Sequence, residues 1–518
     1  MMSFRRLAAV LAALLLLAGA CSPGEEVDVN GEDQGVEDPG IEGVAEGGTL
    51  IAAISGEPDQ LDPHMTSAYP SFQVLENVYD TLVQPGDPPT EAEPALAEDW
   101  EVSEDELTWT FSLREGVVWH DGEPFTADDV VFSFERIADE GLNAARFDTI
   151  EEVTAVDEHT VELQLSQPTP NLLTQIGAFK GMAIVPERIV EDGTIGQNPV
   201  GTGPFRFVSY DEGSRLVLEA NPDYWGEGPF VEGVEFRFVS EGTVAMTNLR
   251  GGQVDWTDNV PPQEAQTVLD SDELEAGGEP SGDFWYFAFN HARPPFDNPD
   301  VRRALSFAVD RDAIAEAAHF GAATPNQTAI PEGNPWHHDY APFTVDPAQA
   351  EQMLADAGVE DLSVELMVTT EFEQTIAAAQ VIESDWAEIG VDVSIQVLDF
   401  TEWLARQGEG EFDAFLLGWL GNIDPYDFYH LQHHSEGIFN FHGYANEEVD
   451  RLLDEALTET DEARRKELYD EAVEMLVDEV SYGFLYNPFV VHAWQPVVQD
   501  YTVRPDAAIR FERVRLDR

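Results

Sequence analysis

The sequence predicts an α/β protein of two lobes, each a mixed sheet flanked by helices. Three observations carry this. The chain has 518 residues, more than one ordinary hydrophobic core organises. Short runs alternate polar and apolar residues as half-buried strands do. Between them lie segments that open on a capping residue and then place apolar side chains at helical spacing.

Taken in order, Arg5 and Arg6 precede an almost wholly apolar Leu7 to Ala20, and Ala18-Gly19-Ala20 supplies the small residues of an export cleavage site. That run is shorter than the roughly 20 residues needed to span a bilayer, so residues 1–20 are expected to be a removable signal. Cys21 is the chain's single cysteine and cannot close an internal disulfide. Leu17-Ala18-Gly19-Ala20-Cys21 resembles a bacterial lipobox, so Cys21 is expected to carry lipid and tether the protein to the outer face of the membrane. The export route is left open. Residues 21–48 are acidic, glycine-rich and free of aromatic residues, the composition of a disordered tether.

Ordered structure is expected from Thr49. Gly48 to Ile54 reads as a strand closing on Gly56-Glu57-Pro58-Asp59, and Thr108 to Leu113 and Val161 to Leu165 alternate as strands. Thr126, followed by Asp128 and Asp129, caps a helix through Phe134. Later helices are expected at Val301 to Ala308, Ala348 to Ala357 ended by Gly358, Glu373 to Ile389 ended by Gly390, Glu447 to Leu457 and Glu462 to Val477. Strands are expected at Val391 to Val397 and Gly483 to His492.

The formal net charge is -77, with lysine only at Lys180 and Lys466. Nucleic acid and anionic membrane surfaces would repel such a chain. Acids spread over the whole length predict a hydrated surface suited to high salt. No nucleophile elbow, zinc-protease helix, phosphate loop or dinucleotide fingerprint follows a predicted strand. Gly201-Thr202-Gly203-Pro204 is read as a turn, since Pro204 would break the helix a phosphate site needs. One constellation resembles a metal site: on a helix, His430, His433 and His434 would share a face, with His442 near. An exposed histidine loop is the competing reading. Aromatic density at Trp285-Tyr286-Phe287, Trp403, Trp419, Tyr426, Phe428 and Tyr429 points to a ligand cleft.

Several blocks together resemble family 5 of the extracytoplasmic solute-binding proteins, the peptide, dipeptide and nickel receptors of ABC importers. They are Glu57 to Pro63, Glu76 to Leu82, Pro94 to Trp100, the long Trp109 to Val130 signature, Gly201 to Phe205, Asn221 to Trp225, Val301 to Leu305, Gly418-Trp419 with Asp424-Pro425, and Tyr444 to Asn446. The resemblance implies a periplasmic-binding-protein type II fold closing on its ligand by a hinge. It implies lobe I over residues 49–283, with an inserted α/β subdomain near 81–199, lobe II over 284–490, and a return to lobe I over 491–518.

It also implies a monomeric receptor without cofactor or catalytic residues, partnered by permease subunits. Peptide receptors of the family grip the ligand amine with an aspartate in Gly-Trp-x-x-Asp; here Asn422 takes that place, with Asp424 two residues on. Dipeptide receptors also use an arginine upstream of the helix at Glu373, where Thr369 to Glu373 offers no base. A longer peptide is therefore the expected solute, with a neutral oligosaccharide or a metal chelate as alternatives. The expected ligand-binding residues are Tyr69, Trp285, Trp403, Trp419, Asn422 and Asp424. A secreted metal-dependent hydrolase using His430, His433 and His434 is the rival from another class.

Overall fold

A computed structural model describes residues 47–86, 89–179, 181–419 and 423–518; Cys21, the expected signal and nearly all of the expected tether lie outside the described residues, as does Asn422. Local sequence explains the elements. Helix Ala127–Glu140 starts at a reciprocal capping box, in which the Thr126 N–H donates to Asp129 Oδ2 at 2.9 Å. Helix Glu373–Glu388 gives way at Gly390, whose φ of 78° suits glycine, and strand Asp392–Leu398 follows at once.

Twelve strands form one continuous mixed sheet that serves both lobes. From the lobe II edge it runs Asp392–Leu398, Ser363–Thr369, Ala414–Trp419, Phe284–Phe289 and then Gly483–Trp494. Beyond that strand come Trp256–Thr257, Thr49–Ile54, Gly233–Phe238, Arg215–Ala220 and Phe205–Asp211. Gly483–Trp494 is the shared member. Its first part pairs antiparallel with Phe284–Phe289, and its second with Glu275–Pro280.

Three large hydrophobic cores result. One is built from residues between Phe284 and Tyr486. A second joins Leu50 to Trp256 with the C-terminal segment Val498 to Leu516, which Asn77 anchors by donating to the Ile509 carbonyl and accepting from the Phe511 N–H. The third, from Leu82 to Val200, lies under a separate antiparallel sheet ordered Ala97–Val102, Thr108–Leu113, Thr160–Leu165, Ile150–Asp157.

Several of the sequence blocks prove to be joints between these cores. Gly201 and Gly203 press on the Val78 backbone; a Cβ on Gly201 would come 1.9 Å from the Val78 carbonyl oxygen. Thr202 and Trp225 both donate to the buried Asp80 carboxylate, at 2.7 and 2.8 Å. Asp62 is held bidentately by Arg136, and Arg302 donates to the carbonyls of Phe296, Glu479 and Val480. These residues hold the architecture together.

Candidate functional site

The chain passes between the two lobes at Ser281–Asp283 and again at Asn487–Phe489. Ser281 Oγ donates to the Pro488 carbonyl at 2.9 Å, and Asn487 Nδ2 donates to the carbonyls of Asp283 and Ala329. The two connections lie side by side where the halves of the large sheet meet.

At this junction lies a cleft of about 510 Å³. Ser55, Tyr69, Gln73, Glu76 and Asp258 face it from lobe I, Asp506 and Arg510 from the C-terminal return, and His319, Ala322 and Ile423 from lobe II. Two other hollows, of about 940 Å³ beside Trp225 and about 710 Å³ beside Arg406, are larger but more open, and each is lined from one lobe only. The cleft at the junction is bounded by both lobes, which is where a binding site between domains forms.

Its electrostatics are unusual for an open surface. Burial pushes the Glu76 carboxyl up to about 8, against the pull of Arg510 3.7 Å away. Asp258 is raised to about 6, again by burial, although Gln73 and Ser55 donate to it. Asp506 is held low by Arg504, 3.0 Å away, in spite of its burial. Burial lowers His319 to about 4 and His492 to about 3, so both imidazoles are neutral.

The residues expected to bind ligand divide sharply. Tyr69 lines the cleft, half exposed, with its hydroxyl donating to the Ala507 carbonyl. Trp403 is fully buried between Phe400 and Phe415 and belongs to the lobe II core; no solute stacks on it. Trp285 is 2 % exposed, lies flat over Gly418 and packs against Phe372 and Tyr486, one layer beneath the cleft. Trp419 is half-buried against Phe439 at the end of its strand, four residues before the cleft-lining Ile423.

Asp424 is corrected most. Its carboxylate accepts two bonds from Arg465 Nη2 and one from Nη1, at 2.8 to 3.1 Å, with both side chains about 5 % exposed. It accepts further from Asn171 Nδ2 at 3.1 Å, across the lobes, and from the Tyr426 N–H at 2.9 Å. Every lone pair is committed, so Asp424 is a structural acid and cannot replace the missing amine-gripping aspartate.

The histidines also part company. His433 is buried and bonded through Nδ1 to Ser481 Oγ at 2.8 Å, which His442 Nε2 also reaches at 2.9 Å. His430 and His434 stack with ring centroids 4.9 Å apart and approach Asp454, with ligand atoms within 4.8 Å of one another. The Glu436 N–H donates to His434 Nδ1 at 3.1 Å, and His434 Nε2 faces Asp454 Oδ1 at 3.3 Å. His430, His434 and Asp454 thus form a group that could hold a metal ion, and His433 is not part of it.

Gln73, Glu76, Asp258, Asp506 and Arg510 went unnoticed in the sequence. Comparison with known proteins agrees with the architecture. The sequence profile of bacterial extracellular solute-binding proteins, family 5, middle portion, matches residues 91–440. The chain is 29 % identical to the dipeptide-binding protein of Escherichia coli, over 90 % of this chain and 95 % of that one. It is 30 % identical to heme-binding protein A of Haemophilus influenzae, over 85 % and 87 %. An ABC transporter-associated periplasmic binding protein of Helicobacter pylori, solved with the peptide STSA, superposes with a TM-score of 0.78 at 26 % identity, over 91 % of this chain and 98 % of that one. Two lobes, a cleft between them and a family match over most of its length place this chain among the family 5 bacterial extracellular solute-binding proteins, which capture solutes and are not enzymes.

Proposed function

We propose that this protein is the lipid-anchored receptor of an ABC importer, capturing a peptide-like solute in the cleft between the lobes and presenting it to the permease. The observation that carries the reading is the cleft itself: about 510 Å³, inside the roughly 300–1,000 Å³ range of small-ligand pockets, and bounded by both lobes. Peptide-binding relatives support the solute class. Cys21, which follows the lipobox-like Leu17 to Ala20, would carry the anchor. A formal charge of -77 with only two lysines supports work in high salt, where self-repulsion is screened.

Ser67 is exposed at the rim of the cleft, so Ser67→Trp places an indole where the solute enters. Calorimetric titration with a pool of di- to hexapeptides in molar salt is expected to show binding by the unsubstituted protein and none by this variant. Stability is expected to stay within about 0.5 kcal/mol, as for other surface changes. Equal binding by both proteins would move the solute site elsewhere.

A further inference from the structure

Asp258 follows the short strand Trp256–Thr257, beside the end of Thr49–Ile54, and these two strands deliver it and Ser55 together into the cleft. Its Oδ1 accepts from the Ser55 N–H at 3.0 Å, and its Oδ2 from Gln73 Nε2 at 2.9 Å and more distantly from Ser55 Oγ. All these donors are neutral. Among the described residues, no ion pair to Asp258 is formed, whereas Asp506 has Arg504 and Glu76 has Arg510.

Gln73 adds a second, independent observation. It is 1 % exposed, and because its Nε2 must face the Asp258 carboxylate, its Oε1 is fixed as an acceptor, one that has no donor. A buried acceptor left without a donor costs about 1–3 kcal/mol. The cleft wall therefore holds a carboxylate without a cation and, one hydrogen bond away, a buried amide oxygen without a donor.

We propose that Asp258 and Gln73 form a cation subsite on lobe I, which takes an ammonium or guanidinium group of the solute. An ammonium offers three N–H donors and a guanidinium five, enough to satisfy both acceptors, whereas a neutral hydroxyl satisfies one and leaves the charge unbalanced. This rests on the cleft being the solute site. It explains how a receptor with Asn422 in place of an acid, and with Asp424 locked to Arg465, still engages a positively charged group: the grip lies on the opposite lobe. Capture then begins on lobe I, and lobe II closes afterwards.

The test titrates three probes into the protein and into Asp258→Asn and Gln73→Met: alanine oligopeptides of two to six residues, the same peptides N-acetylated, and agmatine. The free-amine peptides are expected to bind about ten- to a hundredfold tighter than the acetylated ones, the size of a charge-assisted hydrogen bond. Asp258→Asn is expected to erase that ratio and Gln73→Met to reduce it. Equal binding of free and acetylated peptides, or a ratio that survives in both variants, overturns the subsite while leaving the peptide reading intact. Agmatine bound by the protein but not by Asp258→Asn, with no peptide bound, sustains the subsite and sinks the peptide reading. Binding of none of the probes overturns both.

Discussion

Replacing Asp424 by alanine is expected to lower the unfolding free energy by about 3–5 kcal/mol, the cost of leaving one member of a buried ion pair uncompensated. Arg465 is the residue stranded. It also donates to the Ala456 carbonyl and lies 4.9 Å over the Trp336 ring, so it cannot swing into water without breaking the packing of helix Glu462–Asp478. Asp424→Asn keeps one acceptor oxygen for Asn171 and the Tyr426 N–H but not the charge, and is expected to fall between the two. Urea titration in molar salt measures both. A loss under about 1 kcal/mol for Asp424→Ala would show that the pair does not hold lobe II together. From sequence alone this substitution reads as a loss of ligand closure with the fold intact; the bidentate pair reverses that expectation.

Acidification is the second large effect. His64, His433, His442 and His492 are all within 2 % of fully buried and are held neutral, His64 at about 4 and His433 and His492 at about 3, with burial the leading cause in each. Between pH 6.5 and about 4 the unfolded chain binds protons on these rings that the folded chain refuses, so stability falls as pH falls. Each ring is worth roughly 1.4 kcal/mol per pH unit in that window. Glu76 and Asp258 oppose them. Their carboxyls are raised to about 8 and about 6, so the folded state protonates first and gains stability as pH falls. Burial also lowers His120, His291, His319 and His430 and raises Asp80, Asp129 and Asp385, so the lowered rings outnumber the raised carboxyls and acidification destabilises the fold. Denaturant midpoints taken from pH 6.5 to 4.5 in molar salt are expected to fall steeply, and His433→Gln to flatten the slope by about one proton. A midpoint that holds or rises on acidification would contradict the burial of these rings.

Much of the fold was legible because helices and strands announce themselves locally. Thr126 with Asp129 three residues on marks a helix start, and Gly390 marks a helix end. Val161, Leu163 and Leu165 alternate onto one face of their strand, and all three are buried. The site was largely illegible for two physical reasons. Aromatic density, taken as the sign of a cleft, is equally what the core of a large lobe demands, and Trp403 and Trp285 serve that core. The cleft acids carry no local motif: Asp258 meets Gln73 across 185 residues and acts with groups more than 400 residues from Gln73, near the C-terminus. In a chain with 102 acidic residues, nothing in the sequence separates those few from the solvated rest. The histidine cluster divides: His430 and His434 gather with Asp454 in a group able to hold a metal ion, and His433 stays apart. A helical face would have gathered His433 with His430 and His434, but His433 turns inward to Ser481 and Asp454 arrives from another helix.

Isolating the protein in molar salt, unfolding it and identifying by mass spectrometry the small molecule it releases would reveal the solute itself. One equivalent of a peptide-like molecule bearing a positively charged group is expected, absent from the Ser67→Trp variant prepared the same way. A neutral sugar in that stoichiometry, or the same material released by the variant, would contradict the proposed function.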